Sequence, residues 1–503
     1  MLDSNLFQIA WSNISKNLAP IDYLIVLGYL LVTMLIGLKV GGHISGIKDY
    51  AVGGRSFIVW GRNLRMPVLL ATLLATMVGA EDTLGDAESG FIAGLVWPVC
   101  LYIIPILVMY FFIGYFIAPR MYKYIKKDTI TMGDLMGDFY GPFGKTTVSI
   151  SGVLLYIGFV AVQLYAIGVF TNDITGIDKS ICIILCGGFI VGYCAIGGIK
   201  AVTFTDVFQF LVLLIAIPLV CSQIVSQSGG LLHVIHSVPE THLKFWLRDD
   251  FYQSLLLAGV LCIPGYEIGP AIVQRFLMTD DHRDISRAFY ICALLTVPFA
   301  LVILLVSFSA VAVNMPVENA EFTMSYMIKS YTPPLIKGIA IAGFLAIVMS
   351  SVDSMLNAGG ILFAHDLAAP LAKKYDIKNF DELNWARGST VGIGVLSILV
   401  ALVSEHMVHI ALNTLLIWSP IISIPFLAYV LGMRPKIDTF KINTYAVLIV
   451  GGALLLTTQM EDFEVRLVSM LLTNILVFFT AHHILGPAVD KKRKDVKREK
   501  VGG

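Results

Sequence analysis

Charge is scarce in this chain. Asp, Glu, Lys and Arg make up only 14% of its 503 residues, where soluble domains average about 25%. Lys+Arg and Asp+Glu number 35 each, so the net charge is zero and no overall field points toward nucleic acid. No hydrophilic stretch is long enough for a second, soluble domain, and none is of kinase size. Cysteine has no pattern either. The residues at 100, 182, 186, 194, 221, 262 and 292 sit almost all in apolar runs, without the acid or histidine company of a zinc site and without a disulfide framework. The first 20 residues lack the basic start and continuous apolar core of a cleavable signal. The first apolar run, near Ile21, therefore reads as a retained span.

What is abundant is hydrocarbon: 57% of the residues are hydrophobic and the mean hydropathy is +0.81. A helix needs about 20 apolar residues to cross a bilayer. Thirteen such segments are predicted, near 21–41, 65–93, 97–119, 147–170, 180–198, 204–224, 253–275, 287–312, 336–363, 388–404, 409–431, 443–458 and 465–486. The reading is an all-α membrane protein. Alternate loops, from 39–65 to the tail "KKRKDVKREK", hold 28 of the 35 basic residues, Arg275 counted among the loop residues. Basic loops stay cytoplasmic, so the N-terminus is expected outside and the C-terminus inside, in the cell membrane. The longest polar loops, 225–252 and 313–335, are then external and are expected to be partly helical.

Two spans are interrupted. The second reads "LLATLLATMVGAEDTLGDAESGFIAG", with Glu81, Asp82, Asp86 and Glu88 among its glycines. The seventh reads "LAGVLCIPGYEIGPAIVQRF", with Pro264, Gly265, Gly269 and Pro270 around Glu267. Proline removes a backbone donor and glycine weakens a helix, so both are expected to unwind. Unwound backbone at membrane depth is tolerated only inside protein or along a cavity. Breaks five spans apart suit two five-helix halves, about 65–224 and 253–431, with peripheral spans at 21–41, 443–458 and 465–486. That is the pattern of an inverted-repeat carrier of one transmembrane domain, residues 1–503.

The ninth span holds "MSSVDSMLNA". Ser350, Asp353, Ser354 and Asn357 fall at i, i+3, i+4 and i+7, on one helix face where dehydration is costly. Together with "YAVGGRS" at 50–56, "GGIKAVTFTDVFQ" at 197–209 and "QRFL" at 274–277, these motifs make the chain resemble the sodium/solute symporter family over nearly its whole length. The family includes proline, sugar, pantothenate and choline carriers. The resemblance implies a five-plus-five inverted repeat of the leucine-transporter type with thirteen transmembrane helices. It also implies a sodium site from the carbonyls of Ala75, Val78 and Ile347 and the side chains of Ser350 and Ser351. Oxygen-only ligands suit a hard cation. Some members hold a second ion, sodium or proton, which here would join Asp206 with Ser350, Asp353 and Ser354. For Asp353 the alternative is a hydrogen bond to a neighbouring helix.

The solute is less defined. The resemblance places Glu81 and Asp82 where sugar carriers bind hydroxyls and Met77 where choline carriers keep an aromatic; Phe159, Gln163 and Tyr266 are candidate cavity walls, and Glu267 lies at the second break. "MSSVDS" is nearest to the choline branch, but the aromatics that choline carriers place at Met77 and near Gly269 are absent. Acids at both breaks, with no basic residue among them, favour an ammonium-bearing or zwitterionic solute, and a sugar or polyol is the alternative. Asp86 and Glu88 read as a solvated vestibule. A solute-binding membrane sensor remains a second class of function. Enzyme chemistry is not expected: the His365–Asp366 and His482–His483 pairs lie at helix ends, and no organic cofactor is implied. The partners expected are solute, sodium and the lipid bilayer.

Overall fold

In hydrocarbon, a backbone can satisfy its own polar groups only as a helix or a closed barrel, so long apolar runs here must coil. A computed structural model describes residues 18–41, 44, 46–52, 66–249, 251–262, 268–404, 407–457 and 463–488, all helical or connecting. Among the described residues, ten helices are long and apolar enough to cross a membrane, or eleven with one bent pair counted as a single span. The helices used below are α1 (Pro20–Gly41), α2 (Met66–Met77), α3 (Asp86–Ala93), α4 (Met132–Thr175), α5 (Lys179–Gln227), α6 (Phe251–Leu261), α7 (Pro270–Leu277), α8 (His282–Ala312), α9 (Ile336–Ile361) and α10 (Glu382–Val403).

Acidic residues start several of them. Asp178 accepts from the Ser180 and Ile181 N–H groups, Asp281 from Arg283, and Asp381 from Leu383 and Asn384. Thr131 and Asp134 form a reciprocal capping box at the head of α4. Such caps satisfy donors that a helix cannot bond internally.

Helix α5 has 49 residues, about 73 Å at 1.5 Å each, more than twice a hydrocarbon core. It is not straight. Gly198 adopts φ 57° and ψ −175°, which splits α5 near the boundary that the sequence places between its fifth and sixth spans. A β-carbon there would lie 2.7 Å from the Tyr50 ring, and Tyr50 itself is fully buried. Gly198→Val is therefore expected to cost about 1–3 kcal/mol in backbone strain alone, read as a lower midpoint in thermal unfolding of the detergent-purified protein. Helix α4 is kinked as well, at Tyr140 and Gly141, just before Pro142.

The second predicted span is indeed interrupted. Helix α2 and the segment Glu81–Ala93, which ends in α3, meet at an angle of 68°. Of the seventh span, α6 and α7 are described, while Tyr266 and Glu267 lie outside the described residues. Both long polar loops contain helices: Leu231–Ser237 and Glu240–Leu243 in one, Thr323–Tyr331 in the other. The first caps the turn after α3, where the Leu95 N–H donates to the His242 carbonyl at 2.9 Å and the His242 ring nitrogen Nε2 lies 3.1 Å from the Phe91 carbonyl. The bent pair lies against α5 and α9, and there the buried polar groups collect.

Candidate ion and solute site

The break between α2 and α3 begins with donors that leave the helix. In an unbroken helix the Gly79 N–H would bond the Ala75 carbonyl and the Ala80 N–H the Thr76 carbonyl. Here the Gly79 N–H donates to Asp82 Oδ2 at 2.7 Å and the Ala80 N–H to Gln163 Oε1 at 2.8 Å. Carbonyls at the end of α2 are thereby released. A hydroxyl of α9 takes them up: Ser351 Oγ lies 2.8 Å from the Val78 carbonyl and 3.4 Å from that of Ala75. Ser350 Oγ donates to the Ile347 carbonyl one turn back on its own helix, at 2.8 Å. Ser350 and Ser351 are wholly buried, as are Ala75 and Ile347 within a few per cent. The Ser351 hydroxyl with the Ala75 and Val78 carbonyls, and the Ser350 hydroxyl with the Ile347 carbonyl, are two groups of neutral oxygens, with no cationic side chain bonded to them among the described residues. That chemistry fits a sodium ion.

The other polar residues on this face of α9 each find a different partner. Asp353 Oδ1 accepts from the Tyr193 hydroxyl and from Cys194 Sγ, both on α5. Ser354 Oγ receives a bond from Arg275 Nη2 and lies 3.0 Å from Thr76 Oγ1. Asn357 Oδ1 accepts from Gln274 Nε2 at 3.0 Å. Asp206, on the second half of α5, accepts from Thr72 Oγ1 and pairs with Arg275 Nη2 at 3.5 Å.

Arg275 is the correction to the loop count. It closes the seventh predicted span and is counted with the basic loop that follows, but its side chain is fully buried on α7. Loop counting weighs charge and not position, and the "QRFL" motif gave the only hint. The expected second-ion set of Asp206, Asp353 and Ser354 is consequently divided. Asp206 and Ser354 meet on the guanidinium, and Asp353 takes the neighbouring-helix bonds that were its alternative.

At the expected solute position, Glu81 Oε2 accepts from Gln163 Nε2, and Gln163 is fully buried on α4. Gly79 is confined beneath them, since a β-carbon there would lie 2.5 Å from Glu81 Oε2. Met77 and Phe159 are half-buried against the same core. Asp86 departs from the vestibule reading. It is only 7% exposed, and its Oδ1 accepts from Trp97 Nε1 at 2.7 Å. His365 and Asp366 also depart from a bland helix end. Lys145 Nζ bridges Asp134 at 2.7 Å and Asp366 at 2.9 Å, while His365 reaches Asp134 and Glu382. An ammonium already occupies that acidic cluster.

Comparison with known proteins agrees with this architecture. The model of the sodium:solute symporter family matches residues 57–436. The chain belongs to the sodium:solute symporter family. The human sodium-coupled monocarboxylate transporter 1 is 25% identical over 414 residues, which is 77% of this chain and 64% of the relative. The chain thus spans just under two thirds of that relative's length. The sodium/glucose cotransporter of Vibrio parahaemolyticus is 25% identical over 395 residues, 71% of this chain and 70% of its own. Among solved structures, a Na+-coupled sialic acid symporter in a substrate-bound outward-open state superposes with a TM-score of 0.80. The identity is 17%, and the match covers 94% of this chain and 99% of that one. The amino-acid-bound MhsT gives 0.53 at 14% identity, covering 84% and 100%. At such identities the likeness establishes the fold, a multi-pass helical membrane architecture shared by members of this symporter family and by MhsT.

Proposed function

We propose that this chain is a sodium-coupled symporter that carries a small organic solute across the cell membrane by alternating access. The observation that carries the proposal is the Ser351 hydroxyl on the Val78 and Ala75 carbonyls at the break. Sodium in that position would replace its hydration shell with the carbonyls of Ala75, Val78 and Ile347 and the hydroxyls of Ser350 and Ser351. Such an ion ties α2 to α9, and it drives transport only by binding one conformation better than the other.

In this reading the single domain crosses the bilayer thirteen times. The split of α5 at Gly198 supplies two crossings, and the bent pair and the α6–α7 stretch supply one each. The repeats are about 65–224 and 253–431, the N-terminus is outside and the tail inside.

Glu81 and Asp82 at the break favour a solute with an ammonium group, and Gln163 offers an amide to its polar end. A lone carboxylate, as the name of the human monocarboxylate relative implies, would meet like charge there. A zwitterion of the kind carried by proline symporters in this family fits better. The Glu81–Gln163 pair would also serve hydroxyls, which keeps a sugar or polyol as the second reading.

The test is a thermal-shift screen of the purified chain with proline, betaine, choline, glucose and lactate, each in sodium and in potassium. A solute at 100 times its dissociation constant stabilises the fold by about 2.7 kcal/mol. An ammonium-bearing solute is expected to raise the melting point in sodium and much less in potassium. Equal stabilisation in both salts would remove sodium coupling. Counterflow of the labelled hit in liposomes then separates a carrier from a sensor, which binds without exchange.

A further inference from the structure

Between α5 and α6 the chain runs along the rim of the helical bundle. Gly229 and Gly230 take φ 99° and 87°, a region that glycine enters without steric cost, and they redirect the chain just past Gln227, the end of α5. The helix Leu231–Ser237 that follows buries Val234 in one apolar cluster with Leu304 and Phe308 of α8. Those two residues precede Ala312, the last of α8, by about 12 and 6 Å at 1.5 Å per residue. The helix thus packs beside the end of a predicted span and does not stand above it.

Its free side is apolar too. Leu231, Leu232 and Ile235 fall at i, i+1 and i+4 and are exposed, Leu232 to 73%, while His233 and His236 take the remaining exposed side. Farther along, Trp246 and Leu247 of the short helix Phe245–Leu247 are exposed, as is Tyr252 at the head of α6, to 80%. On α6 the same surface continues into Leu255 and Leu256, exposed on the seventh predicted span.

We propose that this connecting segment is an interfacial anchor: Leu231, Leu232, Ile235, Trp246, Leu247 and Tyr252 enter the headgroup–acyl boundary of the adjacent leaflet, and through His242 they fasten the α3 end of the broken second span to the membrane surface.

Continuity with the leucines of α6 selects lipid as the occupant, since a span's exposed leucines face hydrocarbon. Apolar side chains on one side, with two histidines and the exposed Lys244–Glu240 ion pair elsewhere on the segment, give the amphipathic character of chain that lies in an interface plane. Indole and phenol rings favour that level, because each has an apolar body and one polar atom. The fastening is a matter of fit. His242 meets the turn after α3 through the Leu95 N–H and the Phe91 carbonyl. Gly94, at φ 64°, approaches so closely that a β-carbon there would lie 2.5 Å from His242 Cα. A broken span whose first half ends at the carbonyls of Ala75 and Val78 is therefore held at its other end by the anchor.

The experiment is fluorescence of the full-length chain in phosphatidylcholine nanodiscs. The emission of Trp246 is the difference between the unmodified chain and Trp246→Phe. Phosphatidylcholine brominated near the glycerol end of its acyl chains is expected to quench most of that difference. Lipid brominated near the chain methyls and aqueous iodide are expected to quench little of it. Quenching by iodide and not by brominated lipid would put the indole in water and overturn the proposal. Resistance to all three quenchers would place it against protein, a second copy of the chain included, and would overturn it equally. Hydrogen exchange at the Leu95 amide reads the fastening. Leu232→Glu combined with Leu247→Glu is expected to lift the segment from the lipid and to lose most of that amide's protection, whereas unchanged protection would overturn the fastening. If the double variant does not fold, the quenching of Trp246 decides. Neither measurement uses sodium or solute, so a failure here leaves the transport reading as it stands.

Discussion

Ser351→Ala is expected to raise the sodium concentration for half-saturation by about 10-fold to 100-fold. Its hydroxyl is the group that joins α9 to the carbonyls freed at the break, at 2.8 Å from Val78. Losing one interaction with a charged group costs about 1.5–3 kcal/mol, and 1.4 kcal/mol is a factor of ten. Ser350→Ala is expected to have a smaller effect, because that hydroxyl is held by the Ile347 carbonyl of its own helix and bonds no other helix among the described residues. The comparison needs two measurements: sodium binding by each variant, and melting in sodium-free potassium buffer. A shift in sodium affinity without a comparable change in sodium-free melting marks an ion ligand. An unchanged sodium dependence in Ser351→Ala would remove the site.

Asp206→Ala is expected to lower stability by about 3–5 kcal/mol, the usual cost of leaving one member of a buried ion pair alone. Arg275 is wholly buried, and Asp206 is the one carboxylate paired with it among the described residues. Asp206→Asn keeps the shape and an acceptor for Thr72, and it should fall between the two. The double change Asp206→Ala with Arg275→Met removes both charges and is expected to recover much of the loss, since an apolar pair of similar volume leaves no uncompensated ion. Thermal unfolding in sodium-free detergent solution measures all four proteins. If Asp206→Ala melts with the unmodified chain, the pair carries no stability and the guanidinium is satisfied by its hydroxyl partners alone.

Local pattern carried much of this molecule. The break in the second span was legible because "GAEDTLGDAESG" places glycines and acids where a continuous apolar helix would have neither, and the 68° bend follows. The Ser350–Ser351 pair stood out for the same reason, as hydroxyls in hydrocarbon. Asp353 was open between ion and neighbouring helix, and its partners Tyr193 and Cys194 lie 160 and 159 residues away. No periodicity within one helix reports such a distance. Asp86 was misread because its indole partner Trp97 approaches only after the chain turns back at Gly94, whose φ is 64°. The Lys145 bridge between Asp134 and Asp366 is likewise invisible in one dimension, since each residue alone resembles an ordinary charge near a helix end.

The amino-acid order alone determined that this chain lives in a bilayer, where most of its helices run, that the second predicted span breaks and which helix carries a stripe of polar side chains through hydrocarbon. Those properties depend on hydropathy, on missing donors and on the 3.6-residue turn, all of which act over a few residues. Only the folded arrangement decided which oxygens converge and which charge answers which. Arg275 reads as a loop cation in one dimension and becomes a buried counter-charge in three. The reason is physical: the energy of an ion is set by what surrounds it within a few ångströms, and in a helical bundle those neighbours come from four different helices.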